Sequence, residues 1–336
     1  MKIKMKECLS FDDVLLVPQY SDVKSRSEVN IESRLGNTTF PLPIISSPMD
    51  TITETEMALA MGEAGGLGVI HRYCTIPEQV GFVSYEGVRA AAIGVTGDYF
   101  ERASALHGAG IRIFCLDVAH GDHVLMRNAI EKLKEEYGEA VHLMAGNVAT
   151  RDGYERLSDW GADSIRVGIG GGSICSTRIQ TGHGCPTFQS VLDCSQSDRD
   201  TTIIADGGIK NSGDMVKAMA AGADFIMVGS LLAGTVETPG ELFESKRGKK
   251  YKVYRGMASK EAQKDWRGTH SSNEGISTTV PFKGPVKDVL EDLENGIRSG
   301  LSYSSSRTIY GLQFKAQFIK QTPAGQVESS THILRR

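Results

Sequence analysis

Eight apolar runs of five residues recur between positions 43 and 229, each bounded by turn residues. They are PIISS (43–47), GLGVI (66–70), AAIGV (91–95), IFCLD (113–117), HLMAG (142–146), SIRVG (164–168), TIIAD (202–206) and FIMVG (225–229). Continuous apolar runs of this length suit strands buried on both faces, as in a parallel sheet. Helix-length amphipathic segments separate most of them, at 53–64, 100–109, 128–137, 149–160 and 212–221. Eight strand–helix units predict an α/β fold, a closed (β/α)8 TIM barrel forming a single catalytic domain over 1–336. From the pattern alone, an open doubly wound sheet is the alternative.

The barrel accounts for the chain to about Gly234. Segment 284–303 reads as a last helix, with Val286, Val289, Leu290 and Leu293 on one face. Two segments stand outside the barrel: one at 251–281, rich in Gly, Ser, Lys and Asp, and a tail at about 313–336. The first suggests a mobile flap over about 257–281.

Composition narrows the function classes. A chain of 336 residues with net charge −4 has no Lys/Arg cluster interleaved with aromatics, so no nucleic-acid partner is expected. No apolar run approaches membrane-spanning length, so no membrane partner is expected. The N-terminal MKIKMKECLSFDDVLL does not read as a signal peptide. Six cysteines are scattered without a CxxC pair, which disfavours a zinc site or disulfide framework and points to a cytoplasmic protein.

The chemistry concentrates at the C-terminal ends of the strands, where barrel enzymes build their sites. The Gly-rich stretch GIGGGSICSTR (168–178) follows the sixth run and leads straight to Cys175. Consecutive loop amides can form an anion site, and Arg178 with those amides would give Cys175 thiolate character. Taken alone, the stretch reads equally as a turn with an inert cysteine. Asp206, followed by two glycines, suits both hydroxyls of a ribose, or a helix N-cap. The amides of Gly208, Gly229 and Ser230 suit a phosphate. Ser47, Met49 and Asp50 follow the first run. Asp117 reads as a second ribose anchor or a turn acid. His120 reads as an ordinary loop residue, and Cys115 as core.

These residues resemble the family of IMP dehydrogenases and GMP reductases. The resemblance runs through SFDDVLLVPQYSDVKSRSEV (10–29), SSPMDTIT (46–53), GGLGVIHRY (65–73), DVAHG (117–121), MAGNVAT (144–150) and the Cys175 loop. It continues through IIADGGI (203–209), GSLLAGTVETPGE (229–241), YRGMAS (254–259) and VPFKG (280–284). It implies a purine mononucleotide substrate (GMP or IMP) attacked at C2 by Cys175. It places Asp206 on the ribose and Ser173, Gly208, Gly229, Ser230 and Tyr254 on the phosphate. Met49, Met257 and Gly275 fall on the base, with Ser47 and Gly256 also binding substrate. Asp117, Asn147, Gly168 and Gly170 fall on the nicotinamide side. A potassium ion held by Gly170, Gly172, Cys175 and Glu328 of a neighbouring copy is implied, and with it a homotetramer or a larger assembly.

Both family reactions pass through a thioimidate on the cysteine. The dehydrogenase oxidises IMP with NAD and hydrolyses the adduct; the reductase expels ammonia from GMP and then uses NADPH. Only about twenty residues separate His71 from Ala91, too few for the CBS modules of most dehydrogenases. The flap stretch KEAQKDWRGTHSSNEG (260–275) lacks the Arg-Tyr pair that activates water. DVAHG, MAGNV, KSRSEV and NEGIST resemble the reductases. Thr177 and Glu274 match the pair that handles ammonia. SSPMD, IIADGGI and the tail AGQVESSTHIL resemble dehydrogenases instead, so an IMP dehydrogenase without CBS modules is the alternative to a GMP reductase. Gly171 replaces the usual Pro or Ser, which predicts a more flexible loop. Ala258 replaces a Ser, and no Arg stands near Ser271, which leaves room for a nonstandard purine.

Overall fold

The computed structural model describes residues 5–269, 274–329 and 331, without the Arg267 side chain. In chain order the strands are β1 (Val14–Leu16), β2 (Ser33–Leu35), β3 (Thr38–Phe40), β4 (Ile44–Ser46), β5 (Leu67–Ile70), β6 (Ala90–Ile93), β7 (Ile113–Asp117) and β8 (His142–Val148). They continue with β9 (Ser164–Val167), β10 (Thr202–Asp206), β11 (Phe225–Val228), β12 (Phe243–Glu244), β13 (Lys250–Arg255), β14 (Ser277–Pro281) and β15 (Phe318–Lys320). The helices are α1 (Thr55–Glu63), α2 (Ile76–Val83), α3 (Tyr99–Gly108), α4 (Val124–Tyr137), α5 (Arg151–Asp159) and α6 (Thr177–Thr181). They continue with α7 (Thr187–Cys194), α8 (Ser212–Ala220), α9 (Lys260–Arg267), α10 (Val286–Tyr303), α11 (Ile309–Lys315) and α12 (Pro323–Glu328).

Strands β4 to β11 form a closed parallel barrel, and β11 returns to β4 through Val228↔Ser46. All eight apolar runs are its strands. Alternation along each strand sorts the core into two layers. Ile45, Val69, Ala92, Cys115, Met144, Ile204 and Met227 belong to the cluster that fills the barrel, and Cys115 is core as expected. The other alternation packs outward against the helices. Leu35 and Phe40 of the β2–β3 hairpin join the inner cluster, with Phe40 edge-on to Phe225 at 5.8 Å. The hairpin therefore plugs the bottom of the barrel and leaves the top for the site.

Several boundaries differ from the sequence reading. The 128–137 helix starts four residues early because His123 caps it, Nδ1 accepting the Leu125 amide at 3.1 Å. Asn147 lies inside β8 rather than after it. Helix α2 arises from a Thr75–Glu78 capping box with Pro77 in the first turn. The tail is partly within the fold: Gln313 belongs to α11, and β15 pairs antiparallel with β1. In α10, Val286, Leu290, Leu293, Ile297 and Leu301 are buried, extending the predicted face by two turns. The 251–281 segment is a structured excursion, a three-stranded antiparallel sheet β12–β13–β14 carrying α9.

Candidate active site

The floor of the site is a buried charge network at the top of the barrel. Asp117 ends β7, Arg166 lies in β9 and Asp206 ends β10. Arg166 Nη1 donates to Asp117 Oδ1 at 2.7 Å, and its Nη2 and Nε donate to Asp206 Oδ2 at 2.9 and 3.2 Å. Asn147 Nδ2 donates to the same Asp206 oxygen at 2.8 Å and to the Gly168 carbonyl at 2.8 Å. Tyr73 donates its hydroxyl to Asp117 Oδ2 at 3.3 Å, with Arg72 3.9 Å away. Burial alone would raise the Asp117 carboxyl; the Arg166 and Arg72 guanidiniums outweigh it and hold it below the usual carboxylate range. Burial and Asp117 push the Tyr73 hydroxyl up, so it remains a donor. Both Asp117 oxygens are thus engaged, whereas Asp206 keeps Oδ1 outside these bonds.

The Cys175 loop leaves β9 at Gly168. Cys175 is partly exposed, and its thiol donates to Thr177 Oγ1 at 3.2 Å. The Thr177 hydroxyl donates to Glu274 Oε2 at 2.8 Å. The backbone holds this line in place. An antiparallel bridge joins Cys175 to Gly275, the Ser176 amide donates to the Glu274 carbonyl at 3.0 Å, and the Ile276 amide donates to Ile174 at 3.1 Å. The C-terminal leg of the flap is therefore an added strand on the catalytic loop.

One expectation for this loop needs correction. Arg178 does not serve the thiol: its Nη2 donates to the Cys185 carbonyl at 2.7 Å. Gly171 leaves no room for a side chain, because a Cβ there would sit 2.5 Å from Thr187 Oγ1. Thr187 fills that space, and among the described residues its buried hydroxyl has no hydrogen-bond partner.

One cavity of about 420 Å³ contains the predicted constellation. Every predicted substrate, cofactor and catalytic residue lines it except Gly275, which lies behind the bridge to Cys175. At one end Tyr254, buried on β13, meets the hydroxyls of Ser173 and Ser230, next to Gly229. At the other end Trp266 of α9 stands edge-on to Tyr73, 5.4 Å between centroids. Arg255 ties α9 down, donating to Asp50 Oδ2 at 2.6 Å and to Asp265 Oδ2 at 2.5 Å. Beside Ala258, Gln263 is buried and donates to the Ala258 carbonyl at 2.9 Å. Ser271 and Ser330 lie outside the described residues.

The model of the IMP dehydrogenase / GMP reductase domain matches residues 8–332. The chain belongs to this family. Inosine-5'-monophosphate dehydrogenase of Nitrosopumilus maritimus (strain SCM1) is 33% identical, covering 98% of this chain and 99% of that one. GMP reductase of Leishmania major is 30% identical, covering 98% and 97%. A crystal structure of a GMP reductase variant from Trypanosoma brucei, in complex with guanosine 5'-monophosphate, superposes with a TM-score of 0.92 at 29% identity over 98% of each chain. The chain is an oxidoreductase of the IMP dehydrogenase / GMP reductase family, whose members use a nicotinamide cofactor.

Within this family site, sequence reasoning missed Arg166, Arg72, Tyr73 and Trp266. The signal for Arg166 was present: a charge in the middle of SIRVG, at a position facing the lumen. Its counterpart is Gly146 on β8, where a Cβ would come within 2.6 Å of the Arg166 Cβ. Asn147 Oδ1 is buried at the cavity wall without a hydrogen-bond partner among the described residues, an acceptor that fits a carboxamide N–H. Glu328 is exposed at the end of α12 and does not line the cavity. Among the described residues no helix is long and apolar enough to cross a membrane.

Proposed function

We propose that this chain is a GMP reductase, converting GMP and NADPH to IMP, ammonia and NADP through a thioimidate on Cys175. The observation that carries the reading is the line Cys175–Thr177–Glu274, with the Thr177 hydroxyl between thiol and carboxylate. Cys175 attacks C2 of guanine, and the S–C2 bond forms as the thiol proton leaves. The C2–N2 bond then breaks, and Thr177 with Glu274 carries a proton to the departing ammonia. NADPH would be held by Asp117, Asn147, Gly168 and Gly170 and would supply the hydride that takes C2 to the oxidation state of IMP. The S–C2 bond then breaks, IMP leaves, and Cys175 takes back a proton.

The ribose falls to Asp206, through the oxygen that Arg166 and Asn147 leave open. The phosphate falls to Ser173, Gly208, Gly229, Ser230 and Tyr254, and the base to Met49 with the backbone of Met257 and Gly275. Two features disfavour hydrolysis. Stretch 260–275 has no Arg-Tyr pair, and the flap leg beside Cys175 offers a carboxylate already hydrogen-bonded to Thr177. The connection from β5 to β6 holds only α2, which leaves no room for CBS modules.

The second reading is an IMP dehydrogenase without CBS modules. The dehydrogenase of Borreliella burgdorferi, 35% identical over 97% of each chain, favours it. Following the nicotinamide absorbance with GMP plus NADPH, and separately with IMP plus NAD, tests the two: loss in the first supports the reductase, gain in the second the dehydrogenase. We place the protein in the cytoplasm as a homotetramer. Sedimentation with and without potassium tests whether assembly brings Glu328 of one copy to the Cys175 loop of another.

A further inference from the structure

Two lysines outside the site tie the flap sheet to the segment that follows β11, Lys283 to its turn and Lys252 to the stretch beyond. The turn begins at Gly229, whose carbonyl accepts the amides of Leu232 and Ala233 at 3.0 Å each. Lys283, which does not line the cavity, donates from Nζ to the carbonyls of Ser230 at 3.0 Å and Leu231 at 2.9 Å. Lys283 lies two residues past the end of β14, and its own amide donates to the Gly234 carbonyl at 2.8 Å. From β13, Lys252 holds the stretch that follows the turn: its buried Nζ donates to the carbonyls of Val236 at 2.9 Å and Thr238 at 2.5 Å. Among the described residues neither ammonium pairs with a carboxylate; each is spent on main-chain oxygens. Burial lowers the pKa of the Lys252 ammonium.

The geometry has a consequence for the turn. A trans peptide holds its C=O and the following N–H on opposite sides. Pinning the Ser230 carbonyl to Lys283 therefore aims the Leu231 N–H the other way. Lys252 and Tyr254 share one face of β13, two residues apart. Anchoring Lys252 thus sets the Tyr254 hydroxyl against Ser230 and Ser173.

We propose that Lys283, seconded by Lys252, is a positioning residue that presets the Gly229–Ser230 turn for a 5'-phosphate and couples that turn to the flap. The inference rests on the reading that this turn and Tyr254 hold the phosphate of a purine mononucleotide. It adds a specificity element: discrimination of nucleotide from nucleoside depends on a residue that never touches either.

Calorimetric titration with GMP and with guanosine, on the full-length protein and on Lys283→Met and Lys283→Arg, tests it. Lys283 is exposed, so the variants should melt within a few degrees of the parent. Loss of a charged donor to two carbonyls should weaken GMP binding in Lys283→Met roughly tenfold or more. Guanosine binding should not change, and Lys283→Arg should recover most of the loss. Unchanged GMP binding in Lys283→Met, or equal loss for GMP and guanosine, overturns the proposal. If the parent protein binds GMP no better than guanosine, the phosphate reading itself fails and the proposal falls with it. Lys252→Met should show the same selective loss together with a lower melting temperature.

Discussion

The Thr177 hydroxyl donates to the Glu274 carboxylate at 2.8 Å, joining residues 97 positions apart across the seam between catalytic loop and flap. This bond ties the flap to the Cys175 loop. Thr177→Ala and Glu274→Gln should each lower the rate of GMP-dependent NADPH oxidation by roughly 10²–10⁴. GMP affinity should change only a few-fold, since neither group holds the ribose or phosphate. Initial rates alongside calorimetric titration check this; a matching loss of affinity would place the pair in binding instead.

Arg166 neutralises two carboxylates at the floor of the cavity. Arg166→Met should leave Asp117 and Asp206 buried without their partner and cost about 3–5 kcal/mol in urea unfolding. The sign of the pH dependence follows from Asp117. Its carboxyl is held below the unfolded value, so its contribution is present above the ordinary carboxylate range and lost as pH falls through the lower, folded value. Unfolding free energy should therefore drop on acidification in the parent, and less so in Arg166→Met.

The bottom of the barrel carries an opposite case. The motif GAD occurs before β9 and again before β11, and each aspartate caps the start of the preceding strand. Asp163 meets Lys134 at 2.9 Å, whereas Asp224 sits beside Asp200, and burial raises it to about 6. A raised carboxylate pKa means the folded state binds the proton more tightly. Stability is then lost as pH rises through about 4 to 6, and the cost persists at neutral pH. Asp224→Asn keeps an acceptor for the Ile203 amide and should stabilise the protein at neutral pH by about 1–3 kcal/mol. The gain should vanish near pH 4. Thermal unfolding at the two pH values is the check; a gain independent of pH would refute it.

Gly171 is required by Thr187. Gly171→Ser should displace the Cys175 loop and lower turnover roughly tenfold or more, by overpacking. Thr187→Ala in the same chain should restore much of it. Steady-state rates of the single and double variants decide this, and additive losses would show that the two positions do not compete for space.

The fold was legible because the eight runs are short, apolar and regularly spaced, which is what a two-sided buried strand demands. The constellation at the strand ends was legible because turns after parallel strands converge on one rim. What escaped notice depends on partners distant in sequence. Arg166 reads as an intruder in SIRVG until Asp117 and Asp206 supply its counter-charges. Trp266 reads as one residue of a polar flap stretch until Tyr73 stands edge-on to it. The steric need for glycine at 171 comes from Thr187, sixteen positions later. The β1–β15 pairing joins the two ends of the chain, and no local pattern encodes such a contact.

The central claim is that Cys175, Thr177 and Glu274 expel ammonia from GMP before reduction. Simultaneous measurement of ammonia release and NADPH consumption, with GMP as substrate, tests it most directly. The account predicts one ammonia per NADPH, both abolished in Cys175→Ala while GMP binding is retained. NADH formation from IMP plus NAD, with no ammonia from GMP, would contradict it.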